Sequence, residues 1–162
     1  YIFTFKMYDW MRLDLDGKPR PINIDRGMQN AYFYRNGDRV KQELVSTPEV
    51  IETADGYRVV HLPTHPAHFY DVHRLEISDF VEVETKGSCH CMSLVEGERV
   101  ILETEGGYRT QFNYAETFVI PAATGKYKLT SPDGNPIKVI KVYFKEKWQE
   151  DDWKEVVEGI DE

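Results

Sequence analysis

The sequence predicts a mainly β protein, an antiparallel sandwich of the jelly-roll type with a short N-terminal helix and a C-terminal helix. Two observations support this prediction. Between residues 57 and 144, short apolar runs with strand-like alternation follow one another at intervals of about ten residues, separated by turn signals. Many short strands at such spacing are typical of sandwiches and jelly rolls. In addition, 41% hydrophobic and 13% aromatic residues supply a core for a chain of 162 residues.

Residues 1–56 are predicted to form an opening strand, a turn and a short helix. Residues 1–9 alternate in the manner of a strand, residues 14–18 carry a polar turn, and a helix is expected around residues 25–34. Asp25 is placed to cap that helix or to lie in its first turn. The apolar positions behind the strand and the helix are Tyr1, Phe3, Phe5, Met7, Met28, Ala31 and Tyr32.

Residues 57–145 are predicted to form the jelly roll, with strong hairpin signals at 106–107 and 132–135. Residues 146–162 differ in character, because tryptophan and valine alternate with acids on a helical pattern, and they predict an acidic C-terminal helix. The predicted strands are 57–62, 69–77, 80–85, 90–95, 99–104, 108–112, 117–120, 126–130 and 137–144.

Composition argues against two classes of partner. The net charge of −8 disfavours a general nucleic-acid binder, which needs a basic face for phosphates. No run of about 18 apolar residues is present, so no membrane span is predicted. Both cysteines lie in the segment Cys89-His90-Cys91, and reduced thiols there fit a cytoplasmic protein.

Three cations near the start of the chain form the candidate anion site. Arg12 ends the strand-like run, and Lys18 and Arg20 flank Pro19 just after the turn. Ends of strands and turns are where a rigid sheet presents chemistry to a ligand. Three cations within nine residues of an acidic protein suit a phosphate or carboxylate ligand. The alternative is a solvated basic turn in which Arg12 pairs with a nearby aspartate.

The same segment carries a family resemblance. Residues 3–12, FTFKMYDWMR, followed by residues 16–25, DGKPRPINID, resemble the late segment of type I mannose-6-phosphate isomerases, in which a strand ending in arginine runs into a Gly-Lys-Pro-Arg turn and a short helix. These are zinc-dependent cupin enzymes of carbohydrate metabolism that interconvert mannose 6-phosphate and fructose 6-phosphate. The resemblance extends to about residue 145, and it covers the C-terminal part of such an enzyme.

The resemblance implies roles for the three cations. It makes Arg12 the active-site arginine, and it places Lys18 and Arg20 near the anionic end of the phosphosugar substrate. It also implies a zinc site in a cupin domain upstream of this chain, so that the 162 residues alone are expected to be inactive. A guanidinium suits the catalytic role, because it stays charged and offers two directional donors to adjacent sugar oxygens.

The cupin resemblance also locates where a metal would lie in this half of the fold. Residues 93–102 resemble the strand–Glu-Gly–strand hairpin of cupins, and residues 114–122 resemble the later strand that ends in proline. Metal cupins carry histidines at positions that correspond here to Val83, Thr85 and Tyr127. Because none of these is histidine, we expect this chain to bind no metal.

Two other groups offer metal ligands. His61, His65, His68 and His73 occur close together, but two prolines make residues 62–68 a loop in which the rings need not converge. Cys89 and Cys91 share one face of a strand with His90 opposite, and no further cysteine is available to complete a zinc site. Structural roles are favoured for both groups.

The alternative to the isomerase is a non-catalytic sugar-binding or regulatory cupin module, because cupin folds host many proteins without catalysis. The absence of the cupin metal ligands favours this alternative. It also disfavours a stand-alone metal cupin such as a dioxygenase.

Overall fold

The structure is a computed structural model that describes residues 5–146 of the 162-residue chain. The chain divides into two compact units, Tyr1–Val45 and Ser46–Glu162, which are called here unit 1 and unit 2. The predicted acidic helix at 146–162 lies almost wholly outside the described residues. Neither helix described below is long and apolar enough to cross a membrane.

Unit 2 is an antiparallel β-sandwich of two sheets, which confirms the predicted jelly-roll fold. One sheet has six strands in the order β1-β2-β3-β10-β5-β8, and the other has four in the order β4-β9-β6-β7. The strands are β1 Glu49–Ala54, β2 Tyr57–Leu62, β3 Tyr70–Ile77, β4 Phe80–Glu84, β5 His90–Glu96, β6 Arg99–Thr104, β7 Arg109–Asn113, β8 Thr117–Ile120, β9 Lys126–Thr130 and β10 Ile137–Phe144.

The core lies between the two sheets, and it is built from alternate residues of most strands. Strand period places every second side chain on the inner face, and the alternating apolar residues of the sequence fill that face. Leu94, Leu129 and Val139 have no exposed surface. The remaining buried core residues are Val59, Leu75, Ile77, Val81, Met92, Val100, Leu102, Phe118, Ile120, Tyr127 and Ile137.

Strand β1 was not predicted, because none of its six side chains is buried and it therefore lacks an apolar face. It pairs with the edge of β2, with an irregularity in register between Val50 and Glu52. Backbone pairing to a neighbour, which leaves no trace in the side-chain pattern, makes this segment a strand.

The Glu96-Gly97 hairpin between β5 and β6 depends on its glycine. Gly97 has φ +99°, a conformation that other residues rarely adopt. A Cβ atom there would lie 2.5 Å from Cγ2 of Ile137. Both the backbone conformation and the close approach of β10 therefore require glycine.

Unit 1 differs more from the prediction. It contains two short helices, α1 at Ile24–Gln29 and α2 at Gly37–Glu43. The first ends earlier than expected, because the side-chain amide of Asn30 donates to the carbonyl of Arg26 at 2.8 Å and terminates it. The second was not predicted, since none of its residues is buried and it has no apolar stripe.

The predicted opening strand is wrong over its described residues, 5–9, which form no strand. The carbonyl of Lys6 accepts a hydrogen bond from the backbone of Asn23 at 2.7 Å, and no ladder of such bonds follows. Met7 packs instead over Gly27, where a Cβ atom would lie 2.7 Å from Cγ of Met7. Alternation without a paired neighbour does not make a strand.

Candidate functional site

The turn that carries the predicted cations is closed by Asp14. The backbone N–H of Asp14 donates to the carbonyl of Lys18 at 2.8 Å, and Leu13 and Pro19 form an isolated bridge. The Asp14 carboxylate accepts hydrogen bonds from the backbone N–H groups of Asp16 and Lys18, both at 2.9 Å. An aspartate that binds its own turn in this way fixes the loop.

The structure brings Arg12 and Arg20 together across this turn. The backbone N–H of Arg20 donates to the carbonyl of Arg12 at 3.4 Å, and both side chains line an open depression of about 530 Å³. Nε of Arg20 lies 3.1 Å from the carboxylate of Asp9. Arg12 and Lys18 are exposed, and neither makes an ion pair with another described residue. Lys18 does not line the depression.

A second group of polar side chains lies on the inner face of the six-stranded sheet in unit 2. There the strand alternation that buries Val59, Leu75, Val139 and Met92 continues toward one end of the sandwich, but the inner positions become polar. We call these residues the inner polar cluster: His61, Asp71, His73, His90, Lys141 and Tyr143.

His61, Asp71 and His73 are the closest part of the inner polar cluster. His61 and His73 are directly opposite on β2 and β3, and their rings meet edge to face at 5.5 Å. Nε2 of His61 lies 3.0 and 2.9 Å from the two carboxylate oxygens of Asp71. One ligand atom from each of the three residues lies within 4.8 Å of the others.

The rings of His73 and His90 each share a hydrogen bond with a tyrosine hydroxyl. The hydroxyl of Tyr143 and Nε2 of His73 share a hydrogen bond of 2.8 Å. The hydroxyl of Tyr127 and Nδ1 of His90 share one of 2.7 Å, and only 3% of His90 and 2% of Tyr127 are exposed. The ring of Tyr143 contacts the rings of both His73 and His90. Because His61 contacts His73 in turn, the four rings form a continuous row across the sheet.

Burial dominates the electrostatics of this row. It lowers the pKa of both His73 and His90 to about 4, and the charge of Lys141 adds to the effect. Burial also lowers the pKa of Lys141 to about 8 and raises the pKa of Tyr143 to about 12. At neutral pH the two histidines are therefore uncharged, while Lys141 is a charged amine held in a partly desolvated position.

The residues at the positions where cupins hold a metal make other contacts in this chain. Thr85 donates its hydroxyl hydrogen bond to the carbonyl of Ala122 at 2.7 Å, Val83 packs against the core, and Tyr127 is bonded to His90. These residues do not fit a cupin metal centre, because they offer no set of nitrogen or carboxylate ligands.

The four clustered histidines separate into two pairs. His61 and His73 lie in the inner polar cluster, whereas His65 and His68 are exposed, with their rings 5.7 Å apart. The prolines of this loop indicated that the four rings need not converge, and they do not all converge. Asp71, Lys141 and Tyr143 were not predicted. They continue the inner faces of strands β3 and β10, which are apolar nearer the core, and that pattern is the signal for them.

Cys89 and Cys91 are free thiols, the second of them exposed, and His90 lies buried on the opposite face of β5. Strand alternation predicts this arrangement.

Solved structures share the fold. Over 85% of this chain, the mannose 6-phosphate isomerase of Bacillus subtilis superposes with a TM-score of 0.60 at 16% identity. The plu4264 protein of Photorhabdus luminescens matches 67% of the chain and 90% of its own at 5% identity, with a TM-score of 0.55. A cupin-2 domain from Rhodospirillum rubrum matches 64% and 72% at 10% identity, with a TM-score of 0.51. No protein-family model and no curated protein sequence matches.

These likenesses show that the chain has the cupin fold. The chain spans only 39% of the length of the Bacillus isomerase. The two smaller neighbours match 64–67% of the chain, whereas the match to the isomerase covers 85%, about 138 residues. Unit 2 has 117 residues, so the likeness to the isomerase reaches at least about 20 residues into unit 1.

Proposed function

We propose that this chain is part of an aldose–ketose isomerase that interconverts mannose 6-phosphate and fructose 6-phosphate. The observation that carries the proposal is the exposed guanidinium of Arg12, which no described carboxylate neutralises, beside Arg20 in one depression. The fold likeness to a mannose 6-phosphate isomerase, which extends into unit 1, supports it.

The reaction moves a proton between C1 and C2 of the sugar through an enediol-like intermediate. Such a site must stabilise negative charge on the sugar oxygens and hold the phosphate. In our proposal Arg12 donates two hydrogen bonds to those oxygens, while Lys18 and Arg20 attract the phosphate. The zinc ion proposed for an upstream cupin domain supplies Lewis-acid chemistry when bound, and residues 5–146 supply the cations.

Unit 1 buries few of its own side chains. Among residues 5–45, only Gly27 is buried, and the side chains around the cationic turn are largely exposed. Tyr8, Trp10 and Met11 are between 72% and 81% exposed. The free thiols of unit 2 are compatible with the cytoplasmic location predicted from the sequence.

The proposal is tested by steady-state kinetics on the complete protein, including the upstream domain. Arg12→Lys keeps the charge but loses the planar pair of donors, so we expect the turnover number to fall by about 100-fold. Lys18→Ala is expected to raise KM with little change in turnover, since phosphate contacts are similar in the ground and transition states.

Arg26 provides a matched control. It is exposed on α1 and does not line the depression, so Arg26→Lys should leave both kinetic constants unchanged. Arg20→Lys keeps a positive charge opposite Asp9, so it tests the contribution of the guanidinium to phosphate binding without removing the ion pair that holds the turn. An unchanged turnover number in Arg12→Lys would remove Arg12 from the mechanism.

The inner polar cluster favours a second candidate, a sugar-binding cupin module without catalysis. Hydroxyl, imidazole and carboxylate groups beside the ring of Tyr143 can bind sugar hydroxyls, and they lie inside the fold rather than at the cationic turn. This candidate predicts that the complete protein binds mannose 6-phosphate without converting it, and that Tyr143→Phe weakens the binding while Arg12→Lys does not.

A further inference from the structure

We propose that His61, Asp71 and His73 form a binding site for one divalent transition-metal ion. This site is separate from the cationic turn and from the cupin metal positions at Val83, Thr85 and Tyr127. It differs from the expectation that the chain binds no metal, and it does not depend on the proposed isomerase activity.

The backbone places these ligands together. His61 and His73 face each other across the β2–β3 ladder, and Asp71 lies two residues before His73 on the same inner face. Their ligand atoms are within 4.8 Å of one another. A metal with ligands at about 2.1 Å holds adjacent ligand atoms about 3.0 Å apart at right angles and about 3.4 Å apart in a tetrahedron. Nε2 of His61 and the Asp71 carboxylate, now joined by a hydrogen bond of 2.9 Å, would both turn to the ion when it replaces the shared proton.

The ligand types select the class of ion. Two imidazoles and one carboxylate, with the remaining positions open, suit Zn²⁺, Fe²⁺ and similar first-row ions, whereas Ca²⁺ and Mg²⁺ prefer oxygen ligands. Rings that bind metals are usually oriented by a second hydrogen bond. The hydroxyl of Tyr143, 2.8 Å from His73, provides that contact.

The site is reachable and local. The side chains of His61 and Asp71 are 26% and 18% exposed, so an ion from solvent can reach the carboxylate. In the described part of the chain, no other group of three histidine, cysteine or acidic side chains converges as closely. The rings of His65 and His68 lie 5.7 Å apart, and the ring of His68 stacks on that of Tyr70.

Lys141 decides between this proposal and an anion site. It faces His73 from β10, and its Nζ lies 4.7 Å from the ring centroid of Tyr143. Its charge opposes a bound cation, so Lys141→Met should tighten metal binding. If the cluster instead held an anion such as phosphate, the same change would abolish binding of that anion and leave zinc unaffected.

The test is calorimetric titration of the 162-residue chain with Zn²⁺, in a Cys89→Ser, Cys91→Ser background that removes the thiols. We expect one ion per chain, a dissociation constant at or below about 10 µM, and a higher unfolding temperature with zinc. His61→Gln, Asp71→Asn and His73→Gln should each weaken binding at least tenfold. The matched control, His65→Gln with His68→Gln, removes two exposed imidazoles and should change nothing.

The proposal is overturned if zinc binds no tighter than about 1 mM, or if binding survives all three ligand substitutions. It is also overturned if the His65 and His68 control abolishes binding, because the site would then be the exposed pair. Circular dichroism confirms that each variant is folded. Should a ligand variant unfold, Lys141→Met keeps the test open, since tighter zinc binding supports the site and unchanged or weaker binding contradicts it.

Discussion

Replacing Tyr127 with phenylalanine tests whether the end of the sandwich is an enclosed polar interior. Tyr127 occupies a cupin metal position, and its hydroxyl satisfies Nδ1 of His90 at 2.7 Å. Both residues are at least 97% buried, so no solvent replaces the missing hydroxyl. The ring itself is retained, and the change therefore removes a hydrogen bond without creating a large cavity.

The expected cost follows from the orphaned imidazole. A buried polar group left without a partner costs about 1–3 kcal/mol. At roughly 4 °C per kcal/mol for a domain of this size, the unfolding temperature should fall by roughly 4–12 °C. The second partner of the hydroxyl, the sulfur of Met92 at 3.5 Å, adds little because thioethers are weak acceptors.

Urea denaturation followed by circular dichroism measures this cost. The denaturant midpoint should fall while the slope stays constant, because the buried area is unchanged. Tyr108→Phe is the control, since that ring is 63% exposed and its loss of a hydroxyl should change the free energy of unfolding by less than about 0.5 kcal/mol. A Tyr127→Phe protein as stable as the wild type would refute the enclosed interior.

Three further changes test the energetics of unit 2. The fold lowers the pKa of His90 to about 4, so between pH 6.5 and 4 the unfolded chain binds a proton that the folded chain does not. The urea midpoint should therefore fall as the pH falls through this window. His90→Gln should make the midpoint depend less steeply on pH. Lys141→Met should stabilise the protein by roughly 1–3 kcal/mol at pH 7, where burial opposes the ammonium, and by less above pH 10, which calorimetry can measure. Gly97→Ala should destabilise by more than the same change at Gly134, because both have positive φ but only Gly97 meets the side chain of Ile137.

The strands of the jelly roll could be predicted because burial leaves a period of two in the sequence. Strand β9 shows this period directly, because Tyr127 and Leu129 are buried and alternate with Lys126, Lys128 and Thr130, which are not. Strand β1 and helix α2 bury nothing, so no such period marks them. Residues 5–9 show the period without forming a strand, because an alternating segment also needs a partner to pair with.

Of the two candidate sites, the cationic turn could be predicted from the sequence, whereas the assembly of the inner polar cluster could not. The cationic turn is local in sequence, so spacing alone indicated that Arg12 and Arg20 would be near each other. The inner polar cluster is built by cross-strand register, which places Lys141 of β10 opposite His73 of β3. Register depends on the whole sheet and is not readable from one strand. What the sequence does show is a titratable residue on the otherwise apolar inner face of β2, β3, β5 and β10.

The most direct test of the proposed function is whether the complete protein converts mannose 6-phosphate to fructose 6-phosphate. Proton NMR in D₂O follows both sugars, and transfer through an enediol exposes the migrating proton to exchange with solvent. We predict conversion from either direction to the same equilibrium mixture, and a rate reduced about 100-fold in Arg12→Lys but unchanged in Arg26→Lys. Binding of mannose 6-phosphate with no conversion, by a zinc-loaded and folded protein, would contradict the isomerase and favour the sugar-binding module.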